Sequence, residues 1–365
     1  MADPPTEKIR RRGGAAATIR DVAAQAGVSV ATVSRVLNGK EVVREETLRQ
    51  VRAAAEALRY VPNVAARSLS SQRTQTIGIV LPEVHGEFFS EVIRGIDLAA
   101  RREGYHILVS GSHSNAREML GVLTAMRGRV DGLVVMAPDL AIASLHEQLP
   151  EDLPLVLLNS HDGDRNAITV DNYGGAREMS RHLTSLGHSR IAFIKGPAAN
   201  ADARARLSGF RRALRELGVQ DIRSLEWSGD FTEASGHRAA MEIVARSPRP
   251  TAIFAANDSM AVGALAALAE AGVAVPREMS VVGFDDIPIA RYVRPPLTTM
   301  RIDIADLGRR AFAMLQGAIE SPVVTSGRRD CIPPTLVVRE SCRRAPFPEP
   351  SSQRPDRGRR KGEES

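Results

Sequence analysis

The chain of 365 residues has only two cysteines, Cys331 and Cys342. That excludes a disulfide scaffold and a four-cysteine metal site, and leaves two ordinary reduced thiols. Aromatic residues make up 4% of the chain, too few for a broad surface on which single-stranded bases could stack. No apolar run approaches the roughly 18 residues that would span a membrane. The opening MADPPTEKIRRRGG carries arginines with no apolar stretch behind them, so no secretory signal is expected and the protein is expected to be cytoplasmic. Motifs of catalysis are missing too. There is no Gly-x-Gly-x-x-Gly, no phosphate-binding loop, no His-Glu-x-x-His and no Gly-x-Ser-x-Gly. The eight histidines are scattered: His182 and His188 stand six apart, and His161 lies beside Asp162. No metal, cofactor or catalytic residue is expected.

What is present is uneven charge. Residues 1–73 hold 13 Lys+Arg against 7 Asp+Glu, while the rest of the chain balances 36 against 36. A small basic domain on a neutral body suggests a reader of polyanions carried by something else. On charge alone, a solvated basic face is the other reading. Hydrophobic residues at 43% and charged residues at 25% describe a folding chain, long enough for two to three domains.

Texture divides the chain further. Residues 1–17 read as a disordered leader, 18–62 as a compact helical unit, and 63–74 as a linker. From residue 76, short β-branched runs alternate with amphipathic segments. Strands are expected at 77–81, 106–110, 132–136, 155–158, 191–195, 252–255 and 280–283. Helices are expected at 88–103, 174–186, 203–217, 232–245, 259–271 and 304–316, several ending at a glycine: Gly104, Gly187, Gly218, Gly272 and Gly317. Such alternation implies parallel sheets with crossover helices. The body, 75–341, is too long for one small sheet, so two α/β subdomains are expected, about 75–172 with 303–330 and about 173–302 with 331–341. Residues 342–365 are expected to form a disordered tail without heptads.

Within 18–39, Thr18 is placed to cap a helix, with Asp21 three residues on as a partial capping box. Ile19, Val22, Ala23 and Ala26 share one face, Gly27 permits a tight turn, and Ser29 caps a second helix whose Val33, Val36 and Leu37 face inward. This is a helix-turn-helix pattern, with an ordinary helical hairpin as the plainer reading. The run Asp21-Val22-Ala23, Ala26-Gly27-Val28-Ser29, Thr32-Val33-Ser34-Arg35-Val36-Leu37-Asn38 resembles the DNA-binding headpiece of the lactose-repressor/galactose-repressor family. The resemblance continues through a third helix at 43–58, Tyr60-Val61-Pro62-Asn63, and Ala65-Ala66-Arg67-Ser68-Leu69 as a hinge helix. It implies that Val30, Ala31 and Arg35 face base edges, while Ser29, Thr32, Ser34 and Asn38 lie near phosphates and Thr18 belongs to the DNA-binding surface. Arg67 is expected at phosphate or in solvent, and Leu69 as a minor-groove wedge or a dimer contact. Arg35 can grip guanine with two hydrogen bonds, whereas Val30 and Ala31 offer only shape and methyl contact.

The body resembles the same family, and through it the periplasmic sugar-binding proteins. Ile77-Gly78-Ile79-Val80-Leu81-Pro82, Phe88-Phe89, Gly283-Phe284-Asp285-Asp286, Pro295-Pro296-Leu297-Thr298-Thr299 and Pro334 to Ser341 carry the likeness. It implies an α/β fold, a helix-turn-helix headpiece on a body of two Rossmann-like subdomains with a cleft between them. Phe88, Asp202, Arg206, Phe231, Asn257, Asp258 and Asp285 are expected in that cleft, with Asn159 and Asn200 nearby. The mix suits a polyol, held by carboxylates and amides against flat apolar rings. Asp285 could instead cap a turn, Arg206 form a surface ion pair, Phe88 and Phe231 sit in the core, and Asn257 and Asp258 cap the helix that follows. Two departures bear on the ligand: Gly86-Glu87 stands where many members have Asn-Pro, and Asn159 where many have Asp. The expected function is a homodimeric regulator, repressing by binding palindromic operator DNA under control of a small ligand, a sugar or sugar derivative. A solute-binding module or a sugar-modifying enzyme on a related fold is the alternative.

Overall fold

The computed structural model describes residues 17–37, 43–60, 73–138, 153–160, 165–219, 221–321 and 327–346. Contacts divide the chain into an N-terminal unit ending at Thr74 and a body beginning at Gln75. In the first unit, α1 (Ile19–Ala26), α2 (Val30–Leu37) and α3 (Glu45–Ala57) enclose a small core of Val22, Ala23, Val33, Val36, Val51 and Ala54. Thr18 caps α1: its hydroxyl accepts from the Asp21 amide while the Asp21 carboxylate accepts from the Thr18 amide at 2.8 Å. Gly27, at φ 65°, ends the helix in the left-handed region, and the chain turns directly into α2.

Two six-stranded sheets build the body. The first contains β1 (Thr76–Leu81), β2 (His106–Gly111), β3 (Gly132–Met136), β4 (Leu155–Leu158), β5 (Asn166–Val170) and β11 (Arg329–Ile332), in the order β11-β5-β4-β3-β1-β2, all parallel. The second contains β6 (Ile191–Ile194), β7 (Glu226–Trp227), β8 (Ala252–Ala255), β9 (Ser280–Asp285), β10 (Thr298–Arg301) and β12 (Thr335–Val337), in the order β12-β10-β9-β8-β6-β7. Only its β10–β12 pair is antiparallel. The chain crosses between sheets after β5, after β10 and at Pro333-Pro334. β11 carries the first sheet to Ile332, past the expected boundary at residue 330.

Strand alternation gives the first sheet two apolar faces. Ile77, Ile79, Val134 and Val156 lie in the core shared with α4 (Glu87–Arg102) and α10 (Ile304–Glu320). Val80, Leu133, Val135 and Leu157 pack with α5 (Ala116–Met126) through Met119, Leu123 and Met126. Helices α6 (Asn172–Ser185), α7 (Ala201–Glu216), α8 (Glu233–Val244) and α9 (Asp258–Glu270) serve the second sheet. Each fully buried Leu, Ile, Val or Phe contributes about 1.5–3 kcal/mol of transfer free energy. The sequence pattern misses β5, β7, β10, β11 and α5, which are short, polar or interrupted by Gly121. It also ends α10 too early. Gly317 is an interior residue of a helix that continues to Glu320, where Gln316 donates to the Glu320 carboxylate at 2.9 Å and Ile319 packs on the core.

The helices meet in pairs through glycine. Gly95 of α4 abuts the Ala305 carbonyl, and Gly308 of α10 abuts that of Val92. Gly236 of α8 and Gly263 of α9 likewise meet the Met260 and Glu233 carbonyls, and Gly209 of α7 meets that of Tyr173 in α6. A methyl group at any of these positions would strike backbone, which cannot rotate away. Gly95→Ala is therefore expected to lower stability by about 1–3 kcal/mol or more. Gly121→Ala, which meets nothing within 4 Å, should instead raise it by about 0.5–1 kcal/mol. Urea denaturation of the two variants checks the contrast.

Candidate functional site

The headpiece presents one side of α2. Val33 and Val36 are spent on the core, which turns Ser29, Val30, Ala31 and Arg35 outward, with Thr32 and Ser34 partly covered. Val30 is 41% exposed, so its methyl groups are available on the outer side of the helix. The hydroxyls expected at the DNA-binding surface are already engaged locally. Thr18 gives its proton to the Asp21 carboxylate at 2.7 Å, and the Ser29 oxygen accepts the Thr32 amide at 3.1 Å. Hydrogen bonds to Thr18 hold the Asp21 carboxyl below the usual carboxylate range. These side chains fix the start of each helix, and so the aim of Arg35. Asn38, Arg67 and Leu69 lie outside the described residues.

In the body, the strands' C-terminal ends and the helix starts beyond them converge on a cavity of about 500 Å³. This is where parallel α/β sheets place ligands, since the loops leaving successive strands gather at one edge. Residues after β1, β3 and β4 of the first sheet form one wall, among them Phe88, Phe89, Pro138 and Asn159. Residues after β6, β7, β8 and β9 of the second sheet form the other: Asn200, Asp202, Arg206, Phe231, Asn257 and Asp285. Eight of the nine cleft residues expected from sequence therefore share one cavity.

The ninth, Asp258, does not reach the wall. It is fully buried beneath it, where one carboxylate oxygen accepts from the Thr299 hydroxyl at 2.6 Å and the other from the Ile287 amide at 3.0 Å. Burial, with the Asp285 charge nearby, pushes its carboxyl well above the usual range. Its place at the start of α9 made it resemble a wall residue, yet its side chain turns inward to tie three segments of the second subdomain. Asn257 does line the cavity, and each of its polar atoms already makes one bond within the protein. The oxygen caps α9 at the Met260 amide, and the nitrogen donates to the Phe231 carbonyl at 3.0 Å. Phe231 needs that restraint, because its backbone sits at φ 72°.

Arg206 organises the floor. It is 4% exposed, and its guanidinium donates to the Asn172 side-chain oxygen at 2.7 Å, the Ala256 carbonyl at 2.6 Å and the Asp285 carboxylate at 2.9 Å. Its flat face lies 3.9 Å from the centre of the Phe284 ring. Asn172, which sequence reasoning did not single out, extends the chain by donating to Asp202 at 2.8 Å. Burial drives the Asp285 carboxyl up to about 6 although Arg206 pulls the other way. Next to it, Asp286 is held low despite burial, because Arg301 and Arg339 each donate to it at 2.6 Å.

Asn159 is the odd member of the wall. It adopts φ 50°, donates its amide to the Ile168 carbonyl at 2.9 Å, and is 4% exposed, yet its side-chain oxygen has no hydrogen-bond partner. A buried orphan acceptor costs about 1–3 kcal/mol until a donor arrives. Sequence reasoning also missed Glu83, His85, Glu87, Asp230 and Glu233 in the lining. The signal for them was position alone: each follows a strand or opens the helix after it. Glu87 additionally joins the two subdomains, its carboxylate accepting from the Ile289 amide at 2.8 Å. The Ala201 amide does so again, donating to the Pro138 carbonyl at 2.9 Å.

A helix-turn-helix ahead of a body of two parallel-stranded subdomains with a cavity between them defines a class of ligand-linked DNA-binding regulators. Residues 18–63 match the bacterial regulatory proteins of the lacI family, and residues 180–342 match the periplasmic binding protein-like domain. The HTH-type transcriptional regulator GalS of Salmonella typhimurium is 38% identical over 328 residues, covering 89% of this chain and 96% of that protein. The Lac repressor dimer bound to operator and the anti-inducer ONPF superposes with a TM-score of 0.81 at 31% identity, over 90% of this chain and 99% of that one. The transcriptional regulator CelR in complex with cellobiose gives 0.67 at 32% identity, over 89% and 99%. The chain belongs to the LacI family of bacterial regulatory proteins. It is a DNA-binding transcriptional regulator, as the headpiece motif implies.

The raised Asp285 carboxyl makes stability depend on pH. Because the folded state holds the proton more tightly, rising pH costs stability from the unfolded value of 3.8 up to about 6, and nothing further above that. The span is worth on the order of 3 kcal/mol. Asp285→Asn removes this dependence. The difference in unfolding free energy between wild type and variant should decline from pH 4 to about pH 6 and then level, as followed by urea titrations across that range.

Proposed function

We propose that this protein is a homodimeric repressor that binds palindromic operator DNA and releases or tightens its hold when a small polyol enters the body cavity. In this reading α2 lies in the major groove. Arg35 contacts a guanine edge with two hydrogen bonds, Val30 and Ala31 press on thymine methyls, and Ser29, Thr32 and Ser34 approach phosphates. One such helix reads only a few base pairs, so two copies reading two half-sites supply the rest. The observation that carries the ligand half of the proposal is the division of the cavity wall between two subdomains. A ligand touching both must prefer one arrangement of them, and can shift operator affinity only by that preference. Asp285, Asn159, Asn200 and Asp202 supply polar contacts, and Phe88 and Phe231 supply the flat apolar faces on which a sugar ring stacks. Arg206 holds Asp285 in place, while Asn257 and Asp258 are assigned to the framework. Among the described residues the wall has no nucleophile–base pair, and the proposed role is regulatory, not enzymatic.

The test uses the intact chain and DNA from the region upstream of its own gene. Sedimentation velocity at micromolar concentration should give a dimer. Arg35→Ala should weaken the cognate site by about 1–3 kcal/mol, with little effect on random DNA. Asp285→Asn, assayed at a temperature where far-UV circular dichroism shows it folded, should still bind operator and lose its response to a panel of mono- and disaccharides. Equal loss on specific and random DNA for Arg35→Ala would remove the base-reading role. A ligand response unchanged in Asp285→Asn would remove the cavity from the switch.

A further inference from the structure

The second sheet ends at β7, an edge strand of two residues. Two hollows open beside it, and neither shares a residue with the cavity between the subdomains. One, of about 520 Å³, has Arg223 and Trp227 on one side and Glu242 and Arg246, from the end of α8 and just beyond, on the other. The second, of about 240 Å³, lies between Arg211 and Arg215 of α7 and the Asp221–Arg223 turn. Arg223 lines both, so the two are neighbours.

Arginines here outnumber the acids able to answer them. Elsewhere on the surface, arginines such as Arg94, Arg101, Arg309 and Arg310 pair with an acid one turn away on their own helix. Around β7 the acids are already spent. Glu226, its side chain 4% exposed, accepts from Arg211 at 2.7 and 2.8 Å and has Lys195 at 3.9 Å. Glu216, beside Arg215 in sequence, is shared by Arg177, Arg181 and Arg212. Asp221 turns an oxygen to the Ser224 amide at 3.3 Å. Among the described residues, Arg215, Arg223 and Arg246 are left exposed with no ion pair. In all, Lys195, Arg211, Arg215, Arg223 and Arg246 face Asp221, Glu226 and Glu242, five cations against three acids.

Crowded guanidiniums repel one another, and an anion among them removes that cost while supplying acceptors to forks that have none. Phosphates and carboxylates fit a guanidinium with two parallel hydrogen bonds, which chloride cannot do. We infer that this edge of the second subdomain binds a small oxyanion carrying two or more negative charges, a diphosphate or a polycarboxylate, centred on Arg223. The charge requirement follows from Glu242, which opposes any anion in the larger hollow, so that a single negative charge gains little. The site is separate from the cavity and stands or falls independently of what the cavity holds.

Trp227, the only tryptophan of the chain, lies in the lining of the larger hollow, so its fluorescence reports this site and not the basic N-terminal unit. The full-length protein is titrated with pyrophosphate, citrate and acetate at constant ionic strength, by fluorescence and by calorimetry. Pyrophosphate or citrate should bind saturably, and acetate at least tenfold more weakly. Whichever of the two polyanions binds more tightly distinguishes a phosphate from a carboxylate ligand, and either result supports the site. Arg223→Gln should weaken binding at least tenfold, and Glu242→Gln should tighten it at least threefold. Arg309→Gln, which removes a positive charge from α10 of the first subdomain, should leave it unchanged. Wild type and Arg223→Gln that agree by both methods overturn the inference. So does an equal loss in Arg309→Gln, which would reduce the effect to overall charge.

Discussion

Much of the body turns on one buried ion pair. Arg206 reaches from α7 to the end of β9 at Asp285, to the backbone beyond β8 at Ala256, and to the start of α6 at Asn172. Those are the places where strands give way to loops, and where the cavity floor is made. A charge pair sunk this deep gains little net stability, because desolvation consumes most of the attraction. What it does is fix geometry: if either partner leaves, the other is stranded, at a cost of about 3–5 kcal/mol. Stacking on Phe284 holds the guanidinium plane, so the pair tolerates few alternative arrangements.

Around that floor the protein separates rigid parts from adjustable ones. Helix pairs closed by Gly95 and Gly308, or by Gly236 and Gly263, bring backbone against backbone. Each subdomain core is accordingly hard to deform. Among the described residues, three crossings, a shared apolar cluster and direct bonds such as Glu87 to Ile289 and Ala201 to Pro138 join the first to the second.

The sequence made the repeating parts legible. Long amphipathic helices and all-apolar central strands such as Gly132–Met136 announce themselves, because burial on both faces leaves no polar positions. The edge strands Glu226–Trp227 and Arg329–Ile332 do not, since they are short, mix polar with apolar residues and pair with strands far off in the chain. Family resemblance located most of the cavity wall but misplaced Asp258, because a helix-starting acid and its neighbour look alike until side-chain direction is known. Gly317 failed similarly: glycine is the usual stop, but only packing decides whether a helix stops there. Asn172 and the lining acids could have been sought at strand ends once the parallel order was assumed. The free oxygen of Asn159 could not, since an unmet hydrogen bond is a property of the fold.

The acids of the wall also act on each other. Glu83 and Glu87 belong to the first subdomain, and Asp202, Asp230, Glu233 and Asp285 to the second, so approach of the two halves crowds like charge together. At physiological ionic strength such repulsion reaches about 8 Å, the span of a small cleft. Dissolved salt, by screening the two rows of carboxylates, lowers the electrostatic cost of holding the two walls of the cavity this close, so the ionic strength around the protein enters the energetics of its cleft.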